Sequence, residues 1–201
     1  MLQIYNIITL AISVLIAMSF HELAHGFVSY KLGDPTPKAN GRLTLNPLAH
    51  IDPMGAICMF IFGFGWAKPV SINSYYYKNK KSGIALVSLA GPCANYILAF
   101  ISVILIRLFG GLDNLLLSNF LVTLFSVNIA LGTFNLIPIP PLDGSKILAS
   151  FLPSNLYNKW MSFERYGMFV LMLILYSGIL DPVLTTTITI VQNIMFGIVG
   201  L

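Results

Sequence analysis

Residues 1–25 read MLQIYNIITLAISVLIAMSFHELAH, and this stretch decides the fold. Its first 20 residues carry no charge, and about 20 apolar residues of α-helix cross the roughly 30 Å hydrocarbon layer of a bilayer. The helix is predicted to continue through His21 to about Tyr30, and Gly33 is expected to end it. The first charge is Glu22, so the stretch lacks the basic start of a signal peptide, and we expect it to remain in the mature protein.

The composition extends this apolar character to the whole chain. Of 201 residues, 57% are hydrophobic and only 9% are charged, whereas soluble domains carry about 25% charge. These values exclude an ordinary soluble enzyme and an intrinsically disordered chain. The net charge of +4 comes without any run of five basic residues, so nothing indicates nucleic-acid binding.

Further uncharged runs predict an all-α polytopic membrane protein with about five to six transmembrane helices. After the first helix, the runs that predict spans are 84–106, 114–142, 166–180 and 182–201. The length allows a single membrane-embedded domain over residues 1–201. Within it we expect a core over about 1–150 and a closing helical pair over about 160–201.

Residues 53–67 are too short and too rich in glycine for an ordinary span, because such a helix reaches only about 22 Å. Basic residues flank this segment: Lys31, Lys38 and Arg42 precede it, and Lys68, Lys78, Lys80 and Lys81 follow it. A spanning segment would separate these two groups, against the tendency of basic residues to stay cytoplasmic. We therefore expect a re-entrant hairpin near residues 53–67. The protein would be a multi-pass protein of the cell membrane, with its N-terminus outside and its C-terminus in the cytoplasm.

The sequence HELAH at residues 21–25 is an HExxH motif within the first helix. Helix positions i and i+4 share a face, so His21 and His25 can bind one metal ion, and zinc suits such ligands. Glu22 flanks that face and can act as the general base that accepts a proton from the attacking water. Ionisable side chains are costly within a membrane, which weighs against a purely structural role for these residues.

A catalytic zinc site takes three protein ligands, so one more must come from elsewhere in the chain. The other acidic residues are Asp34, Asp52, Asp113, Asp143, Glu164 and Asp181. Asp143 stands out because it follows NLIPIPPL, residues 135–142, whose prolines cannot continue a helix. Unwound backbone within a membrane must line a cavity or be buried in protein, and a re-entrant hairpin would put Asp143 on the side of the histidines. The alternative is that Asp143 caps a following helix.

The pairing of HELAH with NLIPIPPLDG resembles the site-2 protease family of intramembrane zinc metalloproteases, in its compact prokaryotic branch without PDZ or CBS domains. The resemblance extends through KLGD (31–34), GRLTLNP (41–47), HIDP (50–53), GWAKPV (65–70) and AGPxxN (90–95). It implies that His21, His25 and Asp143 bind one Zn²⁺ per chain and that Glu22 activates water. It also links Asn135 and Pro138 to substrate binding.

Three further polar residues keep two interpretations each. Asn95 and Asn128 can stabilise an oxyanion or hydrogen-bond near the metal ligands, and packing between helices is an equal alternative for both. His50 can be a spare ligand or a pH-sensitive gate, although an ordinary loop histidine is favoured.

The function expected from these residues is that of a zinc metalloendopeptidase. It would cut transmembrane segments of other membrane proteins near the cytoplasmic face, as in regulated intramembrane proteolysis. Its partners would be a transmembrane substrate and the lipid bilayer. The alternative is a non-enzymatic zinc carrier or substrate-binding scaffold that keeps the metal site, and Glu22 argues against it because a carrier needs no general base.

Overall fold

The computed structural model describes residues 2–62, 65–109 and 114–200. Over these ranges it contains nine α-helices: α1 (Leu2–Lys31), α2 (Thr36–Ala39), α3 (Pro53–Phe62), α4 (Lys80–Phe109), α5 (Leu115–Asn135), α6 (Asp143–Phe151), α7 (Ser154–Ser162), α8 (Glu164–Ser177) and α9 (Asp181–Val199). Two short 3-10 helices cover Pro47–His50 and Ser74–Tyr76. In the same ranges, β pairing is limited to one bridge between Ile51 and Ala67. The predicted all-α class is therefore confirmed.

Four of the described helices are long and apolar enough to cross a membrane: Gln3–Lys31, Lys80–Phe109, Leu115–Asn135 and Asp181–Val199. The run at 166–180, predicted as a fifth span, lies mostly in α8, which has 14 residues and therefore reaches only about 21 Å. The predicted number of five to six spans is thus not confirmed. The outer faces of the long helices are apolar, as at Ile7 and Ile198, which are 68% and 67% exposed, and such a surface suits lipid.

The segment around α3 doubles back on itself. Ile51 pairs with Ala67 in an antiparallel bridge, and the N–H of Lys68 donates to the carbonyl of His50 at 2.9 Å. Gly55 in α3 allows this close return, because a Cβ at that position would collide with the backbone of Trp66. The two ends of the segment therefore lie side by side, as the predicted hairpin requires and a span does not allow. Residues 63–64 of the predicted hairpin lie outside the described residues.

The long helices pack as a bundle with two distinct ends. At one end, Tyr5 of α1 donates to the carbonyl of Leu116 in α5 at 2.5 Å, and Asn119 of α5 donates to Asn6 of α1 at 2.9 Å. In the middle, α4, α5 and α9 share an apolar core around Ile129, with no exposed surface. The opposite end of the bundle holds the C-terminal part of α1, the start of α4 and the end of α5.

The chain unwinds between α5 and α6, as the prolines predict. α5 ends at Asn135 and α6 begins at Asp143, so residues 136–142 form turns rather than helix. Asp143 is the first residue of α6, and the residue that precedes the helix as its cap is Leu142. Asp143 therefore lies at the N-terminus of α6, and its carboxylate points into the bundle and contacts α1.

Candidate metal centre

Two histidines of α1 present their ring nitrogens to one point. His21 and His25 lie one turn apart on the same face of the helix, and their Nε2 atoms are 3.0 Å from each other. Both side chains are buried, and the two rings stand nearly perpendicular, at 85°. This convergence is what the HExxH spacing predicts for a helix.

A carboxylate from the start of α6 completes the group. Oδ2 of Asp143 lies 3.1 Å from Nε2 of His21 and 3.1 Å from Nε2 of His25. Among the described residues, one group of histidine, cysteine or acidic side chains has ligand atoms close enough to hold a metal ion together. It consists of these three residues. His50, Asp34 and Asp52, which the sequence offered as other candidates, are not in it, and Asp113 lies outside the described residues.

The hydrogen bonds of the two rings show what the cluster requires. Nδ1 of His25 lies 2.6 Å from the carbonyl oxygen of Val87, which can only accept, so Nδ1 carries the proton. Nδ1 of His21 likewise donates to Oδ1 of Asn95 at 2.6 Å. In neutral rings both Nε2 atoms are then lone-pair acceptors, and they face a carboxylate oxygen, which is also an acceptor. Three acceptors that converge in this way need a cation between them.

Zinc fits this group. A tetrahedral zinc ion with bonds of about 2.0–2.1 Å holds its ligand atoms about 3.3–3.4 Å apart, a few tenths more than the spacing found here. Gly91 of α4 makes room for the cluster, since a Cβ at this position would collide with the ring atoms of both histidines. The donor set of two imidazoles and one carboxylate is also one that catalytic zinc sites use.

Glu22 lies beside this group and is held by the backbone of another segment. Its Oε2 accepts a hydrogen bond from the N–H of Val70 at 2.9 Å, and the side chain is buried. Val70 belongs to the extended stretch after the hairpin, whose position depends on the Ile51–Ala67 bridge. The hairpin therefore fixes the carboxylate of Glu22 next to the two histidines.

Asn95 and Asn128 form a chain of hydrogen bonds behind His21. Nδ2 of Asn95 donates to the carbonyl of Ala17 at 3.1 Å and to Oδ1 of Asn128 at 3.0 Å. Asn128 in turn donates to the carbonyl of Leu124 at 2.8 Å, and neither asparagine has exposed surface. Both amide hydrogens of Asn95 are thus in use. Of the two roles considered for these residues, the geometry favours support of His21 over donation to an oxyanion.

A central cavity of about 860 Å³ opens onto the metal group. His21, Glu22, His25 and Asp143 line it together with apolar side chains from α1, α5, α8 and α9, such as Val14, Leu131, Leu171 and Ile188. A cavity of this size that combines apolar walls with a few convergent polar groups is typical of a ligand site.

The predicted substrate-binding residues differ in their relation to the cavity. Asn135 lines it, and its amide donates to the carbonyl of Leu131 at 3.0 Å. Pro138 is exposed and is not among the lining residues, whereas Pro141 and Leu142 of the same unwound stretch are.

Asp34 fastens the segment that carries Val70 to the end of α1. Its carboxylate has no exposed surface and accepts hydrogen bonds from Ser29, from the N–H of Thr36 and from the N–H of Asn73, at 2.7–2.9 Å. Burial raises the pKa of Asp34, but these hydrogen bonds outweigh burial and hold the pKa below its ordinary value. Asp34 therefore acts on the architecture around the site rather than on the metal.

Comparison with known proteins agrees with this geometry. A family model described as peptidase family M50 matches residues 111–177. The putative zinc metalloprotease YwhC of Bacillus subtilis is 42% identical over 174 residues, which cover 83% of this chain and 79% of that protein. The chain belongs to peptidase family M50, the site-2 proteases.

Two more relatives of this M50 peptidase are also named putative zinc metalloproteases. Rip2 of Mycolicibacterium smegmatis is 27% identical over 83% of this chain and 66% of its own length. MJ0611 of Methanocaldococcus jannaschii is 34% identical over 64% of this chain and 63% of its own length. No solved structure matches the chain at a significant level.

Family membership settles the class of activity. This M50 peptidase is a zinc-dependent peptidase with membrane-spanning helices, so the alternative of a non-enzymatic carrier or scaffold is wrong. The sequence did not reveal two of the contacts that position its functional side chains, the carbonyl of Val87 behind His25 and the N–H of Val70 on Glu22. Both are backbone groups, which no side-chain motif marks.

Proposed function

We propose that this M50 peptidase cuts transmembrane segments of other membrane proteins near the cytoplasmic face, in regulated intramembrane proteolysis. The observation that carries the proposal is the convergence of His21, His25 and Asp143 at one point, 3.0–3.1 Å apart, inside an apolar bundle. His21 lies ten residues before the end of α1, or about 15 Å along the helix, which is consistent with a site below the membrane surface.

His21, His25 and Asp143 would hold the zinc ion, one per chain. Bound zinc lowers the pKa of water towards about 7 and polarises a peptide carbonyl. The hydrogen bonds from the two Nδ1 atoms keep both Nε2 atoms free as ligands. The carboxylate of Asp143 would balance part of the positive charge of the ion.

Glu22 would act as the general base. Its carboxylate lines the central cavity, and the N–H of Val70 keeps Oε2 in place. In this position it can accept a proton from the attacking water and later give it to the leaving amine.

The substrate would bind in the central cavity as an unwound chain. Peptide carbonyls of a transmembrane helix are engaged in hydrogen bonds, so the helix must partly open before attack. The cavity is bordered by the extended stretch at 65–70, whose backbone groups can pair with such a chain. Asn135 also borders the cavity, and Pro138 is proposed to act at its outer edge.

The charge distribution supports a cytoplasmic site. Of 11 lysine and arginine residues, Arg107 alone lies at the end of the bundle that holds Tyr5, which leaves ten at the end that holds the metal group; we name this the basic end. Basic residues accumulate on the cytoplasmic side of membranes. The N-terminus would accordingly lie outside. A C-terminus in the cytoplasm, as the sequence predicts, would require α8 to cross the membrane in addition to the four long helices, because an even number of spans puts both termini on the same side. We also propose one domain over residues 1–201, because α9 packs against α4 and α5 of the core.

The test is cleavage of a model transmembrane substrate in lipid vesicles by Glu22→Gln. Because the general base is lost while the three ligands remain, we expect activity to fall at least about 100-fold. Metal analysis should still find one zinc per chain. Asp181→Asn, which changes a carboxylate at the start of α9 outside the central cavity, is the matched control and should cleave normally. Cleavage by Glu22→Gln at the normal rate would contradict the mechanism.

A further inference from the structure

An ion pair separates the central cavity from a second cavity. Nζ of Lys146 in α6 lies 3.6 Å from Oε1 of Glu164, the first residue of α8. Both residues line the central cavity, and both also line a neighbouring cavity of about 410 Å³, which we call the side cavity. The other polar residues of the side cavity are Ser74, Lys80 and Tyr157, all at the basic end of the bundle.

Among the described residues, Lys146 is the one basic side chain, lysine or arginine, that lines the central cavity. Four carboxylates share this wall, and three of them have partners of their own. Asp143 meets the histidines, Glu22 accepts from Val70, and Asp52 accepts from the N–H of Gly55. Glu164 is thus left as the partner of Lys146.

The ion pair between Lys146 and Glu164 is weak, so Lys146 can readily change to another carboxylate partner. The two side chains are 28% and 37% exposed, and the distance of 3.6 Å exceeds that of a normal hydrogen bond. Ion pairs of this kind contribute little to stability. Lys146 also lies three residues after Asp143 in α6, so both side chains leave the same face of the helix.

Peptide hydrolysis creates the group that can make the exchange. Water adds across the C–N bond, and one fragment ends in a carboxylate while the other begins with an amine. We propose that Lys146 releases Glu164 and forms an ion pair with this new carboxylate. This change of partner opens the central cavity to the side cavity, and the product leaves by that route. The proposal rests on the proposed function in that the fragments are formed in the central cavity.

Binding of a peptide with and without a terminal charge tests this proposal. The probe is a fluorescein-labelled hexapeptide of leucine and alanine that ends either in a carboxylate or in a carboxamide. Its affinity for the zinc-loaded protein in detergent is measured by fluorescence anisotropy. We expect the carboxylate form to bind about fivefold more tightly to the unchanged protein, as one charge-assisted contact allows.

Variants of the two residues should move this preference in opposite directions. Lys146→Met should reduce it at least threefold, and Glu164→Gln should increase it, because Lys146 then has no competing partner. Lys159→Met, a nearby lysine that lines neither cavity, is the matched control and should behave like the unchanged protein.

Two results would overturn the proposal. An equal preference in all variants would mean that the metal alone receives the carboxylate, and equal binding of both peptides to the unchanged protein would mean that no receiving group exists. Zinc content and thermal melting verify that each variant is folded, and Glu164→Gln tests the proposal even where Lys146→Met is unstable. No cleavage is needed for the measurement, so its outcome is independent of the test of Glu22.

Discussion

Oδ1 of Asn95 accepts a hydrogen bond from Nδ1 of His21 across 2.6 Å, and this contact ties a metal-facing ring to the middle of α4. Through Asn128 the same network reaches the carbonyl of Leu124 in α5. Three helices therefore determine which nitrogen of His21 is free to bind metal.

Asn95→Leu removes that acceptor and should lower zinc affinity by about 10- to 100-fold, the usual effect of losing a hydrogen bond behind a ligating histidine. Asn95→Asp keeps an acceptor and should retain more zinc. Competition with a chelator of known affinity measures the difference. Asn119→Leu breaks the hydrogen bond to Asn6 at the other end of the bundle and should leave zinc binding unchanged. Equal zinc affinity in Asn95→Leu and the unchanged protein would contradict this role.

Asp143→Asn should lower the zinc content of the purified protein, because a carboxylate ligand is replaced by a weaker neutral one. Asp34→Asn and Asp52→Asn should keep about one zinc per chain, since neither residue faces the histidines. Metal analysis of the three variants side by side gives the ranking. A loss of zinc in Asp52→Asn with none in Asp143→Asn would reverse the assignment of the third ligand.

Gly91→Ala should disturb the metal group by its volume alone. The added methyl group would press on the rings of His21 and His25, so we expect zinc affinity to fall at least about tenfold, in line with a misplaced ligand. Gly197→Ala in α9 is the matched control. Its Cβ meets nothing within 4 Å, and the better helix propensity of alanine should preserve or slightly raise the melting temperature.

The carboxylate of Asp34 makes stability depend on pH. Its pKa is lower in the folded protein than in the unfolded chain, so its contribution is present above the unfolded pKa of about 4 and is lost as the pH falls through the folded pKa. Asp34→Asn should therefore lower the free energy of unfolding by about 1–3 kcal/mol at pH 7. Thermal melting of both proteins between pH 3 and pH 7 should show this gap narrowing below about pH 4. A gap that widens in acid would rule out this account.

Cysteine labelling tests the orientation of the chain. With Cys58 and Cys93 replaced by alanine, single cysteines at Asn40 and Asn73 should react with an impermeant maleimide from the cytoplasmic side only. Both positions are exposed and lie on either side of the hairpin, whose ends pair at Ile51 and Ala67. Labelling from opposite sides would contradict the hairpin, and labelling of both from outside would invert the proposed orientation.

The sequence predicted those parts of the site that depend on local geometry. Two histidines at i and i+4 must share a helix face, and the prolines between residues 138 and 141 must end α5, so these features follow from the chain itself. The hairpin followed from the placement of lysines and arginines on both sides of residues 53–67. Each of these inferences needs only neighbouring residues or the sign of a charge.

Other features depend on how distant segments meet. The length of α8 is smaller than its apolar run suggests, since the helix ends at Ser177 with Gly178 in a left-handed conformation. Trp66 lines the central cavity, and the hydroxyl of Tyr77 lies 2.7 Å from that of Ser29 in α1. Such pairings are set by tertiary packing, which periodicity does not encode.

The anchor of Glu22 is a main-chain amide, and this has an evolutionary consequence. Any of nineteen amino acids at position 70 supplies the same N–H, and only proline would remove it. Relatives can therefore diverge at this position without loosening the carboxylate, provided that the neighbouring backbone keeps its path. The N–H at position 70, which holds the proposed general base, is thus insensitive to most substitutions, and a comparison of side chains would not detect it.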